Sequence, residues 1–390
     1  MSKVISRAVA RLGAFAGVGA LTACLTGAAE LPPVRHVELQ PLVAQVTRLQ
    51  DALDYLGAPL AAGEHAALAE AAKMSDAGRA TARIQEILDP HCLFGVLLNP
   101  AMRMNVYRGP AAPDLVEQGW RVFLIKVENH AGSTAVLQVS SPNAQRMYNA
   151  EAGAMPARWL EVGMFSSQPM LPNLSGLPLE YRIIQLYSRD AGRRSARFEF
   201  SAPTGGQDQG GVKNEIGVNF EAKPARAVTF RVSDEKGQPT IASFLIKDRQ
   251  GRVYPSPAKR IAPDFAFHHQ VYRGDGDVMK LPDGTYVIEV SRGPESLPQT
   301  TTLAVNARTT TVEFRTARWI DPSASGWWSG DHHIHAAGCS HYEKPTEGVR
   351  AEDMIRHTTG EDLKVGANLT WGPGFDYQKQ FFCGAIDQVS

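Results

Sequence analysis

Val228-Thr229-Phe230-Arg231-Val232 places an apolar side chain at every second position; the turn-forming Asp234-Glu235-Lys236-Gly237 follows, and then a second alternating run, Ala242-Ser243-Phe244-Leu245-Ile246-Lys247. Side chains on a strand alternate between faces, so each run buries one face and leaves the other wet. Pro282-Asp283-Gly284 then introduces a third run, Thr285 to Val290. Strands separated by turn residues at this spacing predict an antiparallel β-sandwich from about Arg226 to Thr316.

The texture upstream is related. Gly119 to Glu128, Ala135 to Val139 and Glu180 to Tyr187 are rich in β-branched and aromatic residues, and Gly/Gln-rich Ala202 to Lys213 reads as a loop, so residues 91–225 form a second β-rich domain. Residues 37–90 read as helical. Leu42, Val46, Leu49, Leu53 and Leu56 recur at spacings of four and three, one stripe of a helix from Pro41 that stops at Gly57. An Ala-rich stretch follows from Pro59 to Met74, and Ser75 is placed to cap a further helix carrying Ile84, Ile87 and Leu88.

The first 29 residues read as an export signal: Lys3, Arg7 and Arg11 precede an uncharged run from Leu12 to Ala23 that is too short to span a bilayer. Leu21-Thr22-Ala23-Cys24 resembles a bacterial lipobox, which would make Cys24 the lipidated N-terminus; cleavage near Ala29 is the other route. Both predict a periplasmic or envelope-anchored protein with no transmembrane helix in the mature chain. The four cysteines, Cys24, Cys92, Cys339 and Cys383, are too few and too scattered for a disulfide framework.

The chain has 390 residues, with 40 Lys+Arg against 40 Asp+Glu, and 43% of its residues are hydrophobic. It can build packed cores of two or three domains at about 150 residues each. Balanced charge together with an export signal argues against a nucleic-acid partner. Neither a P-loop, a dinucleotide-binding glycine motif nor a serine nucleophile elbow is present, so covalent catalysis has no candidate and the catalytic residues stay unassigned.

The chemistry concentrates near the end. Five of the eleven histidines, His332, His333, His335, His341 and His357, fall in one short stretch, behind Trp327-Trp328-Ser329-Gly330-Asp331. On a regular strand Asp331, His333 and His335 share one face, where two imidazoles and a carboxylate can hold a divalent metal. Such an ion makes its bound water a nucleophile at neutral pH. Trp327 and Trp328 are expected to shelter this site. Cys339 reads as a small buried residue, and His357 as a helix-end residue favoured by the dipole.

Asp331-His332-His333-Ile334-His335 resembles the first Asp-x-His-x-His motif of the polymerase-and-histidinol-phosphatase (PHP) superfamily, and His341 stands where many members carry a further histidine. The closer resemblance is to its CehA/McbA-type, carbaryl-hydrolase-like branch, and Ser291-Arg292-Gly293-Pro294-Glu295 also looks like that branch. The block before it, through Val232 to Pro239 and Leu281 to Tyr286, resembles a carboxypeptidase regulatory-like sandwich. The resemblance implies a multidomain protein: an N-terminal helical segment, antiparallel β-sandwich domains, then the first βαβ part of a PHP-type β/α barrel from residue 317 to 390. It implies two or three divalent metals (zinc, or else manganese or iron), with His333 and His335 on the first, His341 on another and Asp331 in the same motif. The implied function is an exported hydrolase of an ester, phosphoester or carbamate bond in a small-molecule or polymer substrate.

Two departures from the family bear on this. The second barrel strand, Lys364 to Thr370, ends Leu369-Thr370-Trp371-Gly372 where the family carries Asp and His, leaving Glu347 and Asp376 as stand-ins. A β/α barrel needs about 200 to 250 residues, whereas Trp327 to Ser390 holds about two βα units of about 30 residues each. The chain is therefore expected to be the N-terminal part of a longer enzyme, inactive alone and weak in metal binding. The competing expectation is a non-catalytic exported β-sandwich protein that binds carbohydrate or peptide and keeps a vestigial or structural metal site.

Overall fold

A computed structural model describes residues 30–101, 103–145, 157–203, 212–335, 349–369, 376 and 379. Three helices come first: α1 (Leu39–Tyr55), α2 (Ala62–Ala72) and α3 (Ala77–Leu88). Pro41 lies in the first turn of α1, where its missing N–H leaves no hydrogen bond unmade, so the helix starts before it. The stripe from Leu42 to Leu56 is buried throughout. Asp76, rather than Ser75, caps α3: its carboxylate accepts from the Arg79 amide at 3.0 Å.

The first β-rich domain contains β1 (Cys92–Leu98), β2 (Met104–Arg108), β3 (Asp114–Val116), β4 (Gly119–Asn129), β5 (Gln138–Ser140), β6 (Leu160–Phe165), β7 (Leu179–Ser188), β8 (Gly192–Ala202) and β9 (Val212–Lys223). One sheet has the order β2-β1-β4-β7-β6 and the other β3-β9-β8-β5. Phe94, Phe198, Phe200 and Phe220 fill the space between them. The outer face of the first sheet does not meet water: Cys92, Leu124, Tyr181 and Ile183 pack against Leu42, Leu49 and Leu53 of the helices. This three-layer arrangement explains why β7 reads as a nearly continuous run rather than an alternating one, since both of its faces are covered. Gln45 of α1 locks the layers, donating to the Tyr181 carbonyl at 2.6 Å and accepting from its amide at 3.3 Å.

The second sandwich contains β10 (Ala225–Ser233), β11 (Ile241–Asp248), β12 (Val253–Tyr254), β13 (Val271–Gly274), β14 (Val278–Pro282), β15 (Gly284–Ser291), β16 (Ser296–Leu297), β17 (Gln299–Val305) and β18 (Thr311–Arg315). Its sheets are β14-β10-β18 and β12-β11-β15-β17, with β13 also on β11. The rings of Phe230, Phe244 and Phe314 meet with centroids 5.0 to 5.2 Å apart. The expectation of purely antiparallel sheets is corrected: β1 runs parallel to β4, β3 to β9 and β10 to β18. In each case intervening strands supply the long crossover that parallel neighbours require.

After β19 (Ala317–Arg318), which pairs with β16, come β20 (Gly330–His335), α4 (Ala351–Gly360) and β21 (Val365–Leu369). β20 and β21 pair in parallel. Among the described residues no third strand joins them. Among the described residues no helix is long and apolar enough to cross a membrane. The second sandwich holds the unit in place: Tyr272 donates its hydroxyl to Glu361 at 2.6 Å, and Arg356 of α4 pairs with Asp277 at 2.6 Å. Arg318 bridges Glu235, Glu295 and the buried Asp362, which also meets Arg292 at 3.2 Å and Lys364 at 2.6 Å.

Candidate functional site

β20 carries a bulge. Asp331 stands opposite Gly366 and Ile334 opposite Asn368, so three steps on β20 match two on β21. The expected strict alternation therefore fails between Asp331 and Ile334. Asp331, Ile334 and His335 line one cavity together, and the Asp331 carboxylate folds back to accept from the His333 amide at 2.9 Å. That bond satisfies a backbone donor where the bulge interrupts the ladder. The rings of His333 and His335 stay close, with centroids 5.3 Å apart, while His332 lies 6.3 Å from His333.

The cavity has a volume of about 360 Å³. The second sandwich supplies Phe267, His268 and Tyr272 to its wall, and α4 supplies Met354 and His357. His268 Nδ1 lies 2.9 Å from the Gln270 carbonyl, which can only accept, so Nδ1 carries the proton. Its Nε2 is buried with no partner among the described residues. Burial pushes the His268 pKa down, which keeps the ring neutral and Nε2 a lone-pair donor. His357 Nε2 donates to the Pro263 carbonyl at 2.9 Å, and its ring packs on Tyr272 at 4.4 Å. His357 is in the last turn of α4, as expected, but burial lowers its pKa and favours the neutral ring, so the dipole does not govern it.

His341, Cys339, Cys383, Glu347 and Cys24 lie outside the described residues. Asp376 is exposed and pairs with Lys379 at 2.6 Å. Among the described residues no group of three or more His, Cys, Asp or Glu side chains is arranged to hold a metal ion. What the structure brings together is the pair His333 and His335 beside Asp331. Two imidazoles sharing one tetrahedral ion at Zn–N of about 2.1 Å have ring centres about 5 Å apart, and the observed 5.3 Å fits that requirement. Trp327 and Trp328 do not shelter the strand: they are 74% and 66% exposed. Sequence reasoning missed Phe267, His268 and Tyr272, although Phe265-Ala266-Phe267-His268-His269 is an unusual concentration of rings for a loop.

No family model matches the chain, and no curated protein matches it. Among solved structures, a variant of BcpA, the major pilin subunit of Bacillus cereus, is similar at 12% identity over 53% of this chain and 68% of that one, with a TM-score of 0.22. The Bacillus anthracis TIE protein is similar at 11% identity over 74% of this chain and 56% of that one, with a TM-score of 0.18. Neither likeness assigns a function.

Proposed function

We propose that this chain is an exported metal-dependent hydrolase of the PHP type, acting on an ester, phosphoester or carbamate bond, periplasmic or held at the envelope through Cys24. The carrying observation is the approach of His333 to His335, at 5.3 Å between ring centres, on a strand that ends at the cavity wall. His333 and His335 would hold the first divalent ion, with Asp331 beside them and His341 joining from the following segment. When bound, the metal supplies a Lewis acid and an activated water. The chain's own residues then do the positioning. The apolar side of the cavity, Phe267, Ile334 and Met354, takes the substrate body and excludes water.

A second reading, an exported β-sandwich that binds carbohydrate or peptide, draws on the exposed indoles of Trp327 and Trp328, which offer stacking surfaces just before β20 in the chain. Zinc and manganese titration of the full chain by calorimetry separates the two readings, combined with turnover of p-nitrophenyl phosphate, p-nitrophenyl acetate and phenyl N-methylcarbamate. Metal binding and turnover that disappear together in the His333→Ala, His335→Ala double variant support the hydrolase, whereas metal binding that disappears with no turnover to lose supports the second reading. Metal binding unchanged in that variant overturns the hydrolase.

A further inference from the structure

β17 forms one edge of the second sandwich, and its sequence, Gln299-Thr300-Thr301-Thr302-Leu303-Ala304-Val305, contains no charge, no proline and no glycine. It pairs with β15 along its whole length, from Gly284 opposite Val305 to Val290 opposite Gln299. Among the described residues no strand pairs with its other side. An antiparallel strand turns the N–H and C=O groups of alternate residues to either side, so the free side of β17 holds a row of unpaired backbone donors and acceptors.

Such an edge is a template for another strand, and proteins ordinarily blunt it with charges or irregular backbone. The other edge strands of five or more residues are blunted in this way. Arg108 stands in β2, Glu161 in β6, Lys280 in β14, Glu313 in β18, Asp331 in β20 and Gly366 in β21. Among the described edge strands of that length, β17 alone has neither device. Its side chains do not cover it either. Leu303 and Val305 point into the core, so Thr301 lies on the inner face and Thr300 and Thr302 on the outer, yet all three threonines are exposed.

A foreign peptide that adds a strand is recognised through pockets for its alternate side chains. None of the five main cavities among the described residues takes a wall residue from β17. A second copy needs no pocket, because the strand complements itself. With a two-fold axis at Thr301, antiparallel pairing sets Thr301 on Thr301 and Thr300 on Thr302. Threonine pairs are favourable across strands, and no like charges meet. Each copy offers one such edge, so the pairing closes on a dimer.

We infer that β17 is a self-association edge: two copies of this chain join their second sandwiches through an antiparallel β17–β17 ladder centred on Thr301, which makes one continuous sheet across both copies. One short ladder falls below the roughly 1,200 Å² of a standard interface, so the dimer is weak and reversible.

The test is sedimentation velocity of the full chain from about 1 μM to about 1 mM, where a reversible monomer–dimer equilibrium is expected. Thr301→Lys and Thr301→Glu each place like charges opposite one another and are expected to weaken association by about tenfold or more. An equal mixture of the two variants is expected to recover the dimer. Ser140→Lys, at an exposed position on the edge strand β5 of the first sandwich, is expected to behave as wild type. Should circular dichroism show that a Thr301 variant does not fold, Thr300→Lys mixed with Thr302→Glu decides, because these outer-face positions are direct opposites in the same register. A chain that stays monomeric at about 1 mM overturns the inference. So do a dimer that persists in both Thr301 variants, a mixture that stays monomeric, and loss of the dimer in Ser140→Lys. Uptake of a synthetic Gln299–Val305 peptide by a chain that does not dimerise assigns the edge to a foreign strand and overturns it as well.

Discussion

Gly293 passes so close to Glu361 that a Cβ on Gly293 would lie 1.9 Å from the Glu361 carbonyl oxygen. Its φ of +70° also lies in the left-handed region, so two separate constraints meet at one residue. This is where the second sandwich grips the end of α4, in the middle of Ser291-Arg292-Gly293-Pro294-Glu295. Gly293→Ala is expected to destabilise by about 3 kcal/mol or more, since backbone must move as well as strain. Gly276, with φ +86° and open space around it, is the control, and its alanine variant should cost about 1 kcal/mol. Thermal unfolding of both variants checks the difference.

The flanking charges of the same segment act through Asp362. Arg292, Arg318 and Lys364 all converge on this buried carboxylate. Asp362→Asn would leave three cations facing a neutral amide, and the expected loss is about 3 kcal/mol in urea unfolding. Replacing Arg318 by Met together with Asp362 by Leu should cost less than the sum of the single changes, because the pair shares one interaction.

The sandwiches were legible in the sequence because period-two runs such as Val228 to Val232 bury one face against a core, and the structure keeps that pattern. The helical stripe from Leu42 to Leu56 was legible for the same reason at the helical period. The parallel pairings of β1 with β4 and β10 with β18 were not, because alternation reports burial and says nothing about direction. At the site, Asp331, His333 and His335 were readable as a cluster, but a bulge is set by the partner strand, so its effect on which side chains share the cavity was invisible. His268 reaches that cavity from residues far upstream, and no local pattern marks it.

Lowering the pH should loosen the packing around α4. Burial lowers the pKa values of His268 and His357 below the 6.5 of a free imidazole, outweighing the upward pull of Asp264, Asp353 and Glu361 on His357. The unfolded chain then binds more protons in this window, so stability rises with pH; it is fully present above about 6.5 and lost as pH falls through and below that value. Asp89 and Glu180, raised by burial, act with the opposite sign. Comparing wild type with His357→Gln therefore isolates the histidine contribution. Tm should fall between about pH 8 and pH 5 in both, and less steeply in the variant. Parallel slopes would refute the assignment.

Cys92 should remain an unreactive thiol even in an oxidising compartment. It is fully buried between the helices and the first sheet, and its Sγ donates to the Leu88 carbonyl at 3.5 Å. Burial pushes its pKa well above that of a free thiol, with Asp89 adding to the rise, so the nucleophilic thiolate is scarcely populated in the folded state. Maleimide labelling followed by peptide mapping should leave the Cys92 peptide unmodified in the native protein and modify it completely in denaturant. Labelling at a rate that follows unfolding would show that modification needs the helices to leave the sheet, since α1 and α3 cover the face on which Cys92 sits. Rapid labelling under native conditions would mean that this face opens on its own, and the three-layer packing of Leu42, Leu49 and Leu88 against Cys92 would have to be reconsidered.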